Sequence, residues 1–298
     1  MKCTINGKYF DYVSDFRKQD RIRNSFNSLT QEVYGFDFEQ WYQDGYWQDS
    51  YVPHSLLIGD TVVANTSVSI IGFDLYGEKR KCIQIGTVMT APEYRNMGLS
   101  RYLMERIMDE WAENCDLVFL FANDSVVNFY PKFGFIEADE YQLHKEVSRV
   151  SSVMLGQKVD MDDIQNREAL ITKIKLAKPI SSFAMKNNIG LIMFYCTSFM
   201  KDNVYYLSEY DAFVIAEISR DTLFLIDVFC ELDVTLDEII NGLATVDTKK
   251  VELGFTPKST AGFDKRILAE DNSTLFVFGK DADRFAKCQI MFPVLSRA

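Results

Sequence analysis

The chain has 298 residues, a formal net charge of −11 and 47 % hydrophobic residues. This is enough apolar material for one large core or two medium ones. No run approaches the ~20 apolar residues that a bilayer span needs, and the acidic balance does not suit a nucleic-acid partner, whose phosphates attract Lys and Arg. A negative surface serves solubility, or it favours cationic substrates such as polyamines and amino sugars. Six cysteines (Cys3, Cys82, Cys115, Cys196, Cys230 and Cys288) are scattered without a C-x-x-C pair, and the only histidines are His54 and His144. The expectation is no metal site and a reducing, cytoplasmic setting. Met1 to Gly7 has no apolar h-region, so no signal peptide is predicted.

In chain order, Asp15 to Tyr34 reads as a polar-rich helix and Asp37 to Gln43 as a shorter one. Eight aromatic residues cluster here: Tyr34, Phe36, Phe38, Trp41, Tyr42, Tyr46, Trp47 and Tyr51. Ser55 to Ile58, Thr61 to Phe73 and Lys79 to Met89 read as three strands of an antiparallel meander, with turns at Gly59-Asp60 and Leu75 to Glu78. The third strand enters the segment Thr90 to Arg101, and a helix, Leu99 to Asn114, leaves it with Leu99, Leu103, Ile107 and Trp111 near helical spacing. Arg95-x-x-Gly98-x-Ser100 is therefore a strand-to-helix connection with two small residues. Such a connection points backbone N–H groups and a helix N-terminus at one spot, which suits a diphosphate. A bulky Cβ there would block the anion. Leu117 to Phe121 reads as a buried strand. A short helix follows at about Ser125 to Lys132, and Phe135 and Tyr141 to Lys145 read as closing strands.

Glu146 to Arg167 is polar and acidic, including Ser148, Ser151, Ser152 and Asp160 to Asp163, and marks a boundary. The expected division is residues 1–147, a linker at 148–166, and residues 167–298. The second half reads as another meander (Asn203 to Leu207, Ala212 to Ser219, Thr222 to Cys230), a short helix (Leu236 to Leu243) and a strand (Lys249 to Phe255). Leu275 to Gly279 and Gln289 to Leu295 are read as closing it. Where a phosphate loop would lie, Cys230 to Thr235 offers no glycine, no arginine and two carboxylates, which would repel a diphosphate.

Strand, Arg95-x-x-Gly98-x-Ser100 and helix resemble the acetyl-CoA pyrophosphate loop of the GNAT N-acetyltransferases. Asn123-x-x-Val126-x-x-Phe129-Tyr130-x-Lys132-x-Gly134-Phe135 resembles that family's second block. The resemblance implies an α+β fold with a mixed, mostly antiparallel sheet, followed by a degenerate GNAT-like copy that lacks the CoA loop. The pairing of an active first half with an inactive second resembles bacterial tandem-GNAT proteins and the leading portion of Eis-type acetyltransferases. It further implies an acetyl-CoA-dependent transfer of an acetyl group to a small-molecule amine, with acetyl-CoA as co-substrate and no metal. The cradle would be Arg95, Asn96, Met97, Gly98, Leu99, Ser100 and Arg101. Val88, Met89 and Thr90 would splay from the neighbouring strand to expose backbone N–H groups to the thioester and pantetheine. Asn123 would cap or orient its element and contact the cofactor.

By the same resemblance, Tyr130 is the expected proton donor to the leaving thiolate, and Pro131 is expected to end or kink the helix there. The aromatic cluster is expected either to line the acceptor pocket or to pack on the sheet. Several GNAT enzymes carry a glutamate base where this chain has Gln84, and an amide holds a water but does not take the proton. The base is then a carboxylate reached through water, with Glu78, Asp74 and the Ala298 carboxylate as candidates, or it is absent because the amine arrives uncharged. A CoA-binding module with little catalysis, an acyltransferase acting on protein amino groups, and a homo-oligomer all stay open at this stage.

Overall fold

The computed structural model describes residues 1–147, 155–186 and 188–297. Ser148, Ser151, Ser152 and Ala298, named above, lie outside the described residues. The fold is α+β, with two mixed sheets. The chain opens with a hairpin, β1 (Lys2–Ile5) and β2 (Lys8–Ser14), joined by Asn6 and Gly7 at φ 48° and 78°. Two left-handed central residues make a turn whose twist matches that of the strands, and Asn-Gly suits it best. Helices α1 (Asp20–Tyr34) and α2 (Glu39–Gln43) follow, then the meander β3 (Tyr51–Ile58), β4 (Thr61–Leu75) and β5 (Glu78–Thr90). Helix α3 (Leu99–Trp111) buries Leu99, Leu103, Met104 and Ile107 and crosses to β6 (Leu117–Ala122), which pairs parallel with β5. Each such buried side chain contributes ~2 kcal/mol, which holds the helix against the sheet.

The helix expected at 125–132 is instead two 3-10 turns, Asp124–Val126 and Tyr130–Phe133. Pro131 sits at the start of the second, where its missing N–H does no harm but no α-helix runs through it. Two short strands, β7 (Ile136–Glu137) and β8 (Tyr141–Glu146), come next, then β9 (Gln157–Lys158), helix α4 (Ile164–Leu176), β10 (Phe183–Lys186) and helix α5 (Ile189–Thr197). A second meander, β11 (Val204–Leu207), β12 (Ala212–Ser219) and β13 (Thr222–Phe229), leads through α6 (Leu236–Leu243) to β14 (Lys250–Leu253), parallel to β13. The chain ends with β15 (Asp264–Ile267), β16 (Thr274–Phe278), α7 (Ala282–Cys288) and a 3-10 turn at Val294–Ser296, where a strand over Gln289 to Leu295 was expected.

The two sheets exchange strands. The first has the order β1-β2-β3-β4-β5-β6-β16-β7, with β10 also paired to β4, and the second is β15-β8-β14-β13-β12-β11-β9. Strand β8, expected to close the first sheet, pairs with β14 and β15 in the second. Strand β16, expected to close the second, inserts between β6 and β7 in the first. Strands from each half thus pair into the other half's sheet. The physical reason is that an apolar strand pairs with whichever edge is open, and local sequence does not mark which edge that is. The largest core cluster draws on both halves, stacking Phe119 on Phe292 at 3.9 Å and Phe73 on Phe183 at 4.4 Å between ring centroids.

Asp227 in β13 accepts a hydrogen bond from the Val228 N–H, and burial pushes its carboxyl up to about 7. The folded protein therefore holds this proton where the unfolded chain, titrating near 4, has lost it. Stability is then greatest below about pH 4 for this group and falls as pH rises to 7. Asp227→Asn is expected to gain roughly 2–4 kcal/mol over the parent at pH 8 and nothing at pH 4, measured by urea melts at both pH values.

Candidate active site

One large cleft, of about 1330 Å³, opens where β5 and β6 part. Their pairing ends at Gln84 and Phe119, although β5 continues to Thr90. A bulge in the β4–β5 pairing starts the divergence. Asn65 faces Met89 and Ser67 faces Gly86, so Thr87 and Val88 oppose Thr66 alone. Thr87 adopts φ 49°, a conformation that L residues enter only when held. Here the holding groups are visible. Fully buried Asn65 donates to the Thr87 carbonyl at 2.9 Å and to Ser67 Oγ at 2.9 Å, and it accepts from Ser55 Oγ at 2.8 Å. The Tyr51 hydroxyl lies 2.8 Å from Thr87 Oγ1. Val88, Met89 and Thr90 all line the cleft on this open side.

The turn after β5 supplies the other end. Asn96 and Gly98 take φ 62° and 79°, and Gly98 is the residue before the first turn of α3. That first turn carries no acidic residue, so the positive end of the helix is not neutralised. Thr90 Oγ1 lies 3.0 Å from Ser100 Oγ, and Arg95 Nε donates to the Thr90 carbonyl at 3.2 Å. Arg95, Asn96, Gly98, Leu99, Ser100 and Arg101 line the cleft; Met97 does not, and its carbonyl accepts from Asn6 Nδ2 at 2.9 Å. This contact belongs to the first hairpin, whose Thr4, Ile5 and Asn6 form a wall of the cleft. The sequence reading missed that wall, although Asn6-Gly7 signals a hairpin.

Tyr130 and Asn123 line the same cleft. Asn123 precedes its 3-10 turn, but its side chain makes no capping hydrogen bond. Tyr130 is 4 % exposed, among Phe129, Phe135 and Phe276. Burial, with a smaller contribution from Tyr34, pushes its phenol up to about 12. The base candidates fare differently. Gln84 is buried in β5 and is not part of the lining. Asp74 accepts from the Gly77 N–H, and Glu78 is held below its usual range by Arg284 and Arg80. Both flank the β4–β5 turn, a strand of ~3.3 Å per residue away from Thr87, so neither reaches the cleft. His54 is buried with Nδ1 2.7 Å from the Tyr12 hydroxyl, and burial lowers it to about 4. Among the described lining residues Glu105 is the one carboxylate.

The far wall is aromatic and comes from both halves of the chain. Tyr34, Phe36, Phe38, Trp41 and Tyr51 line it from the first half, while Tyr42, Tyr46 and Trp47 pack outside the cleft. The second half adds Leu191, Phe194 and Tyr195 from α5, and Phe199. Phe194 stacks on Phe38 at 5.3 Å, and Trp41 Nε1 donates to the Gly190 carbonyl at 2.8 Å. The contribution of α5 was not read from the sequence. Its run Ile189 to Cys196 is apolar on every side, so it shows no period to read. No described helix is long and apolar enough to cross a membrane, and the described residues hold no cluster of three or more metal-ligating side chains.

Residues 18–138 match the family model for the acetyltransferase (GNAT) domain. No curated protein sequence matches the chain. Among solved structures it is similar to a probable N-acyltransferase from Enterococcus faecalis, with 15% identity and a TM-score of 0.59 over 90% of this chain and 72% of that one. It is also similar to a GCN5-related N-acetyltransferase from Kribbella flavida (14%, TM-score 0.56, 92% and 72%) and to Eis1 from Mycobacterium abscessus (13%, TM-score 0.55, 92% and 74%). At these identities the likeness is one of fold. The strand–loop–helix at the cleft lies within residues 18–138, the stretch that matches the GNAT acetyltransferase domain.

Proposed function

We propose that the protein transfers an acetyl group from acetyl-CoA to the amine of a small molecule. The observation that carries this reading is the convergence of three features on one cleft: the left-handed turn at Asn96 and Gly98, the open side of β5 at Val88 to Thr90, and Tyr130. The turn fits a diphosphate because Gly98 has no Cβ and α3 starts without an acid. Arg95 and Arg101 add positive charge. The open N–H groups of β5 hydrogen-bond the thioester oxygen, which becomes more negative as the amine nitrogen attacks the carbonyl carbon. The C–S bond then breaks and the electron pair leaves on sulfur. A phenol near 12 keeps its proton in the neutral range. Full transfer to a thiolate whose acid has a pKa of ~8.5 would be uphill by about 5 kcal/mol. Tyr130 therefore donates a hydrogen bond to the departing sulfur, keeps its own proton, and the thiolate takes a proton from water. The amine proton passes to water. The second half, with its own parallel pair β13 and β14 joined through α6, is read as a degenerate GNAT-like copy that shapes the acceptor side.

Tyr130→Phe tests the assignment. Acetyl-CoA should still raise the melting temperature, while turnover, followed by free-thiol release, falls on the order of 10²-fold, as for loss of one donor to a developing anion. Unchanged turnover would remove Tyr130 from the reaction.

A further inference from the structure

The acceptor end of the cleft has a composition that the net charge of −11 conceals. Among the described residues, four charged side chains line the cleft: Arg95, Arg101, Glu105 and Lys132. They stand on the turn after β5, on α3 and on the turn at Tyr130–Phe133; none comes from the aromatic wall. The wall's tyrosine hydroxyls are spent inside the protein. The Tyr34 hydroxyl donates to the Val88 carbonyl at 2.8 Å, and that of Tyr195 donates to the Arg297 carbonyl. Two aromatic residues of this wall also reach solvent. Phe199 is 59 % exposed and meets Phe36 edge-on at 5.2 Å, and Tyr34 is 42 % exposed beside Phe36.

We infer that the acceptor is an amine carried on a flat, apolar body, an aryl or arylalkyl amine, rather than a polyamine or an amino sugar. The inference rests on the transferase reading above and narrows it. Phe36, Phe194 and Phe199 pack tilted or edge-on against one another, and an aromatic ring laid against the face of this cluster gains edge-to-face and offset contacts and leaves no polar group stranded. A spermidine chain or an aminoglycoside brings several ammonium and hydroxyl groups. Among the described residues this wall offers no carboxylate to pair them with, so they would lose water without compensation. Selectivity of this kind is asymmetric, because unpaired polar groups are rejected far more strongly than a missing apolar contact.

The test is free-thiol release with acetyl-CoA against 2-phenylethylamine, tryptamine, spermidine and kanamycin, beside a thermal-shift titration with acetyl-CoA. Aryl amines should be used at least 10-fold more efficiently in kcat/KM than spermidine or kanamycin. Phe199→Asp, at an exposed position that folding tolerates, should lower kcat/KM for phenylethylamine about 5- to 10-fold by raising KM, with the acetyl-CoA shift unchanged. An acetyl-CoA shift together with a preference for spermidine or kanamycin overturns this inference alone. So does a preference for hexanoyl-CoA over acetyl-CoA without an aryl preference, which would give the wall to the donor's acyl chain. A protein that neither shifts with acetyl-CoA nor releases thiol with any amine overturns the transferase reading, and this inference with it.

Discussion

Gly98→Glu is expected to abolish the rise in melting temperature that acetyl-CoA produces and to lower kcat/KM for acetyl-CoA by roughly 10³-fold. Two effects add. At φ 79° any L side chain is strained, by about 1–2 kcal/mol, and the new Cβ sits 3.4 Å from Asn6 Nδ2, so the folded protein loses a little stability. The larger effect is electrostatic. A carboxylate placed at the start of α3 occupies the anion's own position, and one like-charge contact near 4 Å at a protein surface amounts to about 4 kcal/mol. A diphosphate multiplies that repulsion. Gly98→Asn is the control, since Asn accepts the left-handed conformation and brings no charge. Its Cβ should weaken the shift, but this variant should keep clearly more of it than Gly98→Glu, and the difference between the two measures the charge. If Gly98→Glu responds to acetyl-CoA as the parent does, the cradle lies elsewhere.

Gly190→Ala should have the largest effect on stability of any single methyl addition near the cleft. A Cβ there would lie 2.4 Å from the Tyr46 carbonyl oxygen, a backbone atom held by the bend at Gly45. Relief requires α5 to back away, which stretches the Trp41 to Gly190 hydrogen bond and loosens Phe194 from Phe38. Overpacking against backbone costs about 2–4 kcal/mol, a fall of roughly 5–15 °C in Tm for a protein of this size. Because α5 carries Leu191, Phe194 and Tyr195 into the acceptor wall and not into the cradle, KM for the amine should rise while the acetyl-CoA shift persists at lower temperature. A melting temperature within 1–2 °C of the parent's would show that α5 is not seated as described.

The segment proposed as the cradle could be singled out because its signal is local. A strand, a small-residue turn and an amphipathic helix follow one another in a dozen residues, and ten of the eleven residues named for the cofactor, all but Met97, line the cleft. The block that carries Tyr130, which lines the same cleft, is an equally local pattern. The meanders were read from their alternation and turns, and β12 and α6 begin and end where expected. Three things were not legible, for distinct reasons. The Asn65 network is long-range, since an asparagine within a strand says nothing about a carbonyl 22 residues away. Helices α4 and α5 have weak or absent periodicity, one polar over most of its surface and one apolar all round. The pairing of β8 and β16 depends on which edge each meets in the folded molecule, and their alternation would serve either sheet equally well.

The reciprocal placement of β8 and β16 bears on how the protein is made. Strand β6 has β5 on one flank and receives β16 on the other, so the first layer of the molecule stays unfinished while the ribosome is still adding the second. Until residue 278 has emerged, the nascent chain carries a bare apolar border at Leu117–Ala122, the kind of surface to which another unfinished copy would adhere. Synthesis of the amino-terminal half alone would leave that border uncovered.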